Sequence, residues 1–567
     1  MHQAHPMLTH NKPFWNMLPE PLQDNLLLGS VGKLHLVTMA EQALDQAVSG
    51  TSPAQASFCV SLGLDMLLAA WEEDPLDGQL AGQLLMLQEK IPGLPEHLIP
   101  IFRYVAKMWR PPEQNAYYAR LVQRRETHKT CRYLEQMLEK DPENLYWWQQ
   151  ALSVGPFEQE WEWTTHCMDR HWPAAMPLLG QRIRAELRMS QGLPVTNRML
   201  DTAQEIAMSA ACGQRLLGDL AYTEGNREQA FHHWRQTLRL RPWQTGLILK
   251  MHDTLLGVDQ QRTIPPGKTM VLLYSYNKGE ELAVTLDSLH ASKLHGATVA
   301  VLDNASTDQT PDLLRSWQDR LGPQRFQVIS LPVNIGAPAA RNWLMHLPEC
   351  GQADWLVYLD DDVSLPEDWL ERLGAAREVY PEAGVWGCKV VDFHNPASIQ
   401  SADLHVRELK PADRPDVSEN WTSFRLSNLH HQILDQGQFS YLRPCSSVTG
   451  CCHLFARDVL LECGDFDLRF SPSQFDDLDH DLRLCLNGRP AVYTGHLEIG
   501  HLKRTGRATL NNAQQYGSAM ANEYKLHHNY APEQVERIAT LDRDVTRRDL
   551  LAKVRAMAEH GDLQEWM

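Results

Sequence analysis

Trp355-Leu-Val-Tyr-Leu-Asp-Asp-Asp362 decides how this chain is read, because five apolar residues run straight into three aspartates. A short run of large apolar side chains suits a strand buried on both faces. Three similar runs precede it: Met270-Val-Leu-Leu-Tyr274, Thr298-Val-Ala-Val-Leu302 and Phe326-Gln-Val-Ile-Ser330. A stretch of helical length separates each from the next. That βαβ order predicts a mostly parallel sheet covered by helices, with ligands at the carboxyl ends of its strands. The polar residues immediately after each run are therefore the ones to examine.

The first run is followed by Tyr274-Ser-Tyr276-Asn277-Lys-Gly-Glu-Glu281 and the second by Asp303-Asn-Ala-Ser-Thr-Asp308. The third is followed by Asn334-Ile-Gly-Ala-Pro-Ala-Ala-Arg341-Asn342, and the fourth by Asp360, Asp361 and Asp362. Three adjacent carboxylates at the end of an apolar strand repel one another in a poorly solvated cleft unless positive charge neutralises them. A divalent cation, Mn²⁺ or Mg²⁺, does this with oxygen ligands from one or two carboxylates and a bound diphosphate. Read alone, the same aspartates would also suit a solvated acidic loop.

With YSYNKGEE, VLDNASTD, NIGAPAARN, YLDDDVSLP, ECGDFD and FDDLDHDLRL in that order, residues 269 to 505 resemble glycosyltransferase family 2. These are inverting nucleotide-sugar transferases with the Rossmann-like GT-A fold. The resemblance implies that Tyr276 packs on the base, with Tyr274 and Asn277 beside it, while Asp303 hydrogen-bonds a base edge. Arg341 would support the nucleotide, and Asp361 would touch ribose or diphosphate. Asp360 and Asp362 occupy the ends of the family's D-x-D motif, and His501 takes the place of its late metal-facing histidine, in preference to His496. The family's ED-x-DL-x-x-R signature falls on Asp476-Asp477-Leu-Asp479-His480-Asp481-Leu-Arg483, with Asp for Glu at 476 and His for Leu at 480. Asp477 becomes the catalytic base, since transfer to a hydroxyl needs a carboxylate to take its proton. Asp476, Asp479, Trp421, Lys503 and Arg504 are candidates for acceptor or diphosphate contacts. UDP is the nucleotide this arrangement suits first, with dTDP and GDP compatible.

Upstream of the β-runs the pattern is helical to about residue 257, and the polar, Pro-Pro-Gly-containing stretch 258–268 reads as a linker. Leu217-Gly218, Gly225, Ala230, Trp234, Leu238 and Pro242 fall at the spacing of a tetratricopeptide repeat. Weaker echoes end in Trp71-Glu-Glu-Asp-Pro75 and Leu138-Glu-Lys-Asp-Pro142. The expected organisation is an all-α, tetratricopeptide-like domain over 1–257, an α/β domain over 269–530, and a helical segment over 531–567 docked on the body. Repeat arrays bind partners on a concave face, so a protein acceptor recruited by the helical half is the first reading. A polysaccharide or lipid-linked acceptor, and an inactive binding scaffold, are the alternatives. The intact carboxylate set argues against the scaffold.

Composition bounds the partners. In 567 residues, 53 basic against 71 acidic side chains give a formal charge of −18, which disfavours nucleic acid. No stretch approaches 18 consecutive apolar residues, so no transmembrane segment is expected. The start lacks a secretory layout, and the 11 cysteines form no C-x-x-C pair. A cytoplasmic, reduced protein is the expectation.

Overall fold

A computed structural model of the chain describes residues 14–49, 52–195, 208–409, 422–503 and 513–560. It separates into two compact units. The first gathers the chain up to Met251 with His431–Gln438 and the stretch from Val554; the second holds His252–His430 and Phe439–Lys553.

The first unit is helical, and its helices start where short polar side chains can take an otherwise unpaired backbone N–H. Ser52 caps Pro53–Glu73 through the N–H of Gln55, Asp77 caps Gly78–Lys90, and Ser209 caps Ala210–Thr223. The hairpin of Ala210–Thr223 and Arg227–Leu240 is built on the small residues seen in the sequence. A Cβ on Gly218 would lie 2.3 Å from Trp234 Cδ1, so only glycine admits the fully buried indole there. Gly225 makes the turn at φ 81°, a conformation that a side chain disfavours. Helices Pro53–Glu73 and Thr127–Lys140 end at Asp74 and Asp141, each just before a proline.

Pro53–Glu73 is also long and apolar enough to cross a membrane by length and composition, but its most apolar window is 61% buried within the fold. Near its end, Glu72 is buried against Arg241 at 2.6 Å, and Arg241 reaches Asp65 at 3.0 Å. Charges taken from water in this way need such pairing.

Among the described residues the second unit has twelve strands: β1 (Thr269–Ser275), β2 (Thr298–Asp303), β3 (Phe326–Ser330), β4 (Trp355–Leu359), β5 (Val363–Ser364), β6 (Val385–Asp392), β7 (Ile399–Ser401), β8 (Val406–Glu408), β9 (Phe424–Leu426), β10 (Leu442–Cys445), β11 (Cys452–Ala456) and β12 (Ala491–His501). The main sheet runs β10-β12-β6-β11-β4-β1-β2-β3, with β5 on β12 and β7 on β6, while β8 and β9 form a separate pair. The strands β3, β2, β1 and β4 are parallel, and β11 enters antiparallel between β4 and β6. Every residue of β4 and β6 is buried, as expected of strands covered on both faces. Ser275 stands opposite Asp303, and Asp303 opposite Ser330, so the polar motifs emerge along one edge.

Strand β12 is parallel to β6 but irregular: it advances from Thr494 to Glu498 while β6 advances only from Cys388 to Lys389. The C-terminal helices Ala513–Asn529 and Pro532–Glu559 dock on this unit. Their Leu526, Tyr530, Val535 and Ile538 share a core with Phe470, Leu478 and Leu482.

Candidate active site

The three aspartates leave β4 and turn at once into β5, whose Val363 pairs with His501 and Ser364 with Gly500 of β12. The N–H of Leu502 donates to the carbonyl of Asp362 at 2.8 Å. Backbone pairing therefore delivers the histidine to the aspartates. His501 Nε2 lies 3.0 Å from Asp362 Oδ1, and its Nδ1 lies 2.8 Å from Gln400 Oε1. The Lys278 ammonium straddles the pair, donating to Asp361 Oδ1 at 2.7 Å and to Asp362 Oδ2 at 2.9 Å.

Environment separates these neighbours. Burial raises Asp361 to about 6 in spite of Lys278, whereas Asp362 is held below the carboxylate range, against its burial, by His501 and Lys278. Burial alone would lower His501, yet the hydrogen bond and charge of Asp362 raise it. Asp360 is the more open carboxylate, 26% exposed. Its ligand oxygen, the thiol of Cys451 and a ring nitrogen of His501 lie within 4.8 Å of one another. Oxygen, sulfur and imidazole donors at that spacing can hold a divalent cation.

The loop after β1 forms the adjoining wall. Tyr276 is 46% exposed at its tip, while Tyr274 lies under the Arg341 guanidinium, 5.7 Å from the ring centroid. Asn277 takes a left-handed φ of 52°. Its amide oxygen accepts the Thr307 N–H at 2.7 Å, and its own N–H donates to Ser306 Oγ at 3.0 Å. These bonds tie the ends of β1 and β2 together. Asp303 is buried, and its Oδ1 accepts the Ser306 N–H at 2.9 Å.

Arg341 joins this wall to the next. It comes from the helix Ala337–Met345, is 5% exposed, and donates through Nη1 to Asp476 Oδ2 at 2.9 Å. Its Nη2 lies 3.8 Å from Asp360. Burial raises Asp476 to about 6, with Arg341 opposing the rise and Asp477 adding to it. The helix Asp476–Leu486 starts here, after Gln474 and Phe475 at φ 80° and 71°. Asp477 accepts the Gly450 N–H at 2.8 Å.

Asp479, three residues along from Asp476, turns elsewhere. Its oxygens meet Arg483 Nε at 3.0 Å, Tyr530 Oη at 2.9 Å and Asn529 Nδ2 at 3.2 Å. His496 hydrogen-bonds Asp253 at 2.9 Å rather than the aspartate loop. Lys503 is exposed just beyond β12. Trp421 and Arg504 lie outside the described residues.

Residues 270–464 match the family described as glycosyl transferase family 2. The chain carries a glycosyl transferase family 2 domain. A domain of that family is a glycosyltransferase, and here it lies on the α/β sheet described above. The chain is also 27% identical over 254 residues to a Mycobacterium tuberculosis protein, from strains CDC 1551 / Oshkosh and ATCC 25618 / H37Rv. That protein is named N-acetylglucosaminyl-diphospho-decaprenol L-rhamnosyltransferase, and the match covers 42% of this chain and 77% of the relative. Among solved structures, a crystal structure of GalNAc-T7 with UDP, GalNAc and Mn²⁺ aligns at 14% identity and TM-score 0.34, over 44% of each chain. The mannosyltransferase PcManGT from Pyrobaculum calidifontis, in complex with GDP-Man and Mn²⁺, aligns at 16% and 0.33, over 57% of this chain and 89% of that one.

Two members of the candidate site escaped the sequence reading. Lys278 sits inside a motif quoted for its neighbours, and only the fold shows it spanning two aspartates. Cys451 belongs to no motif, and it reaches Asp360 because β11 lies antiparallel beside β4.

Proposed function

We propose that this chain is an inverting, divalent-cation-dependent glycosyltransferase that moves a sugar from a nucleoside-diphosphate donor, UDP first, to an acceptor hydroxyl, with Asp477 as the base. The observation that carries the reading is the position of Arg341, 3.8 Å from Asp360 and 2.9 Å from Asp476. One guanidinium connects the cation-competent group to the helix that bears Asp477. In this reading Tyr276 gives the base a face to stack on, and Asp303 offers it a hydrogen-bond acceptor. Asp360, Asp362 and His501 hold the cation, with Cys451 beside them. When bound, the ion, Mn²⁺ or Mg²⁺, supplies positive charge to the departing diphosphate. Lys278 and Arg341 add their own charge to that group. Asp477 takes the acceptor's proton as the new bond forms on the opposite face of the sugar, so one displacement inverts the anomeric carbon.

The acceptor we favour is a protein held by the tetratricopeptide-like helical unit; the hairpin closed on Gly218 and Trp234 supports that reading of the unit. A lipid-linked glycan is the second reading, favoured by the name of the M. tuberculosis relative. A cytoplasmic location is supported by 11 unpaired cysteines.

The test is thermal unfolding of the full chain with UDP, GDP, dTDP and their sugar conjugates, with and without Mn²⁺. A ligand that binds only the folded state raises the transition. Mn²⁺-dependent stabilisation by one nucleotide class is expected. Absence of any stabilisation would defeat the proposal.

A further inference from the structure

Asp477 stands just after a loop that takes hydrogen bonds from two neighbouring helices. Gln474 and Phe475, both in the left-handed region, immediately precede the first turn of its helix, and such residues persist only where surrounding structure imposes them. On one side the N–H of Ala337 donates to the carbonyl of Pro472 at 2.8 Å. On the other stands Asn522, from the helix Ala513–Asn529, 1% exposed. Its amide donates to the carbonyls of Phe470 at 2.6 Å and Ser473 at 2.8 Å, and lies 3.5 Å from that of Gln474.

Eight residues further on, Tyr530 grips the same helix. Its hydroxyl donates to Asp479 Oδ1 at 2.9 Å and lies 3.0 Å from the Asp479 carbonyl. The family match ends at 464, so both partners and the carboxylates they support lie beyond it.

We propose that Asn522 and Tyr530 are positioning residues for Asp476 and Asp477, making the helices after β12 a working part of the transferase site; this rests on the reading of Asp477 as base. Asn522 fixes the loop that launches the helix, and Tyr530 fixes the rotation of its first turn. Their hydrogen bonds go to Phe470, Ser473 and Asp479 and not to Tyr276, Asp303 or the Asp360–Asp362 group, so their effect belongs on turnover and not on nucleotide affinity.

The test uses the full chain carrying Asn522→Asp, which keeps the shape but removes the amide donors, and Tyr530→Phe, which removes one hydroxyl. Three quantities are measured: the Kd for UDP with Mn²⁺, kcat for release of nucleoside diphosphate from the sugar nucleotide that the wild type uses, and amide hydrogen exchange over 471–486. Expected for Asn522→Asp are a Kd within two-fold, a kcat at least about ten-fold lower, and faster exchange confined to 471–486. Tyr530→Phe should act in the same direction, more weakly.

Unchanged exchange in that segment overturns the proposal, and so does faster exchange with unchanged kcat. If Asn522→Asp loosens the whole unit, Tyr530→Phe decides by the same criteria. A wild-type chain that turns over no UDP-, GDP- or dTDP-sugar defeats the transferase reading and the kinetic claim together. Variant-specific failure in an active protein defeats only this inference.

Discussion

Gly450 donates its backbone N–H to Asp477 at 2.8 Å, and a Cβ built on that glycine would stand 2.7 Å from Asp477 Oδ2 and 2.7 Å from Arg341 Nη2. The missing side chain is what admits carboxylate and guanidinium together. Gly450→Ala is therefore expected to push both apart, at a cost of ~1–3 kcal/mol for forcing an atom into a filled site. Sugar transfer should fall at least ten-fold. Denaturant unfolding and steady-state kinetics on the same preparation check it, and near-normal turnover would show that the two groups need not be adjacent.

Asp477→Asn keeps the shape but removes the carboxylate proposed to accept the proton. A positioned base contributes ~10²–10⁴ in rate, so turnover should fall by that order with donor affinity within a few-fold. Calorimetry with UDP and Mn²⁺ alongside a transfer assay separates the two. Preserved turnover would remove Asp477 from its role.

Lys278→Ala strips the ammonium from Asp361 and Asp362. Removing one partner of a fully buried pair costs ~3–5 kcal/mol, and because Lys278 is 31% exposed the expected loss is smaller, on the order of 2 kcal/mol. With two carboxylates left facing each other, stabilisation by added Mn²⁺ should exceed that of the wild type. Thermal unfolding across a metal titration measures this; equal metal responses would contradict it.

His405 gives a pH-dependent component of stability with a definite sign. Its Nε2 lies 3.1 Å from Asp403 and its Nδ1 3.0 Å from Asp542 of the last helix, while Arg443 and Tyr441 both contact Asp403. Burial pulls its pKa down and Arg443 does the same, yet the two aspartates leave it above the usual 6.5. A histidine with a raised folded pKa contributes stability that is fully present below 6.5 and is lost as pH rises through its folded value. The wild type should therefore lose stability on going from pH 6 to pH 9 by more than His405→Gln does. Denaturation of both proteins at the two pH values checks it, and parallel curves would count against a protonated His405.

Much of this site was open to reading along the chain, for a physical reason. In a parallel sheet, each strand delivers its following loop to the same edge, so Asn277, Asp303 and Asp360 could be grouped before any geometry was known. Arg341 and Asp476 were both in the motifs, but their ion pair spans residues brought together only by packing. Asp479 illustrates the limit of motif reasoning: it shares a short helix with Asp477, and the helical rotation turns it to Tyr530 and Arg483. Lys278 and Cys451 were hidden because neither carries a periodic signal, and the antiparallel β11 that places Cys451 is a register event. No motif marks the segment between Asp392 and Ser447, though it holds Asp403, His405 and Arg443. A buried ionic network has no sequence period to reveal it.

The irregularity in β12 carries a further consequence. Gly495, His496 and Leu497 are inserted there without counterparts on β6, and alternation along a strand makes an odd number of extra residues exchange its two faces. His501 meets Asp362 because of that odd count. Removing a single residue from the three would leave the composition of the site intact and turn the imidazole to the opposite side of the sheet, with Leu502 drawn back into its place. Chains related to this one should thus keep the length of the insertion, and a glycine at 495, where a Cβ would stand 1.9 Å from the Phe439 carbonyl oxygen.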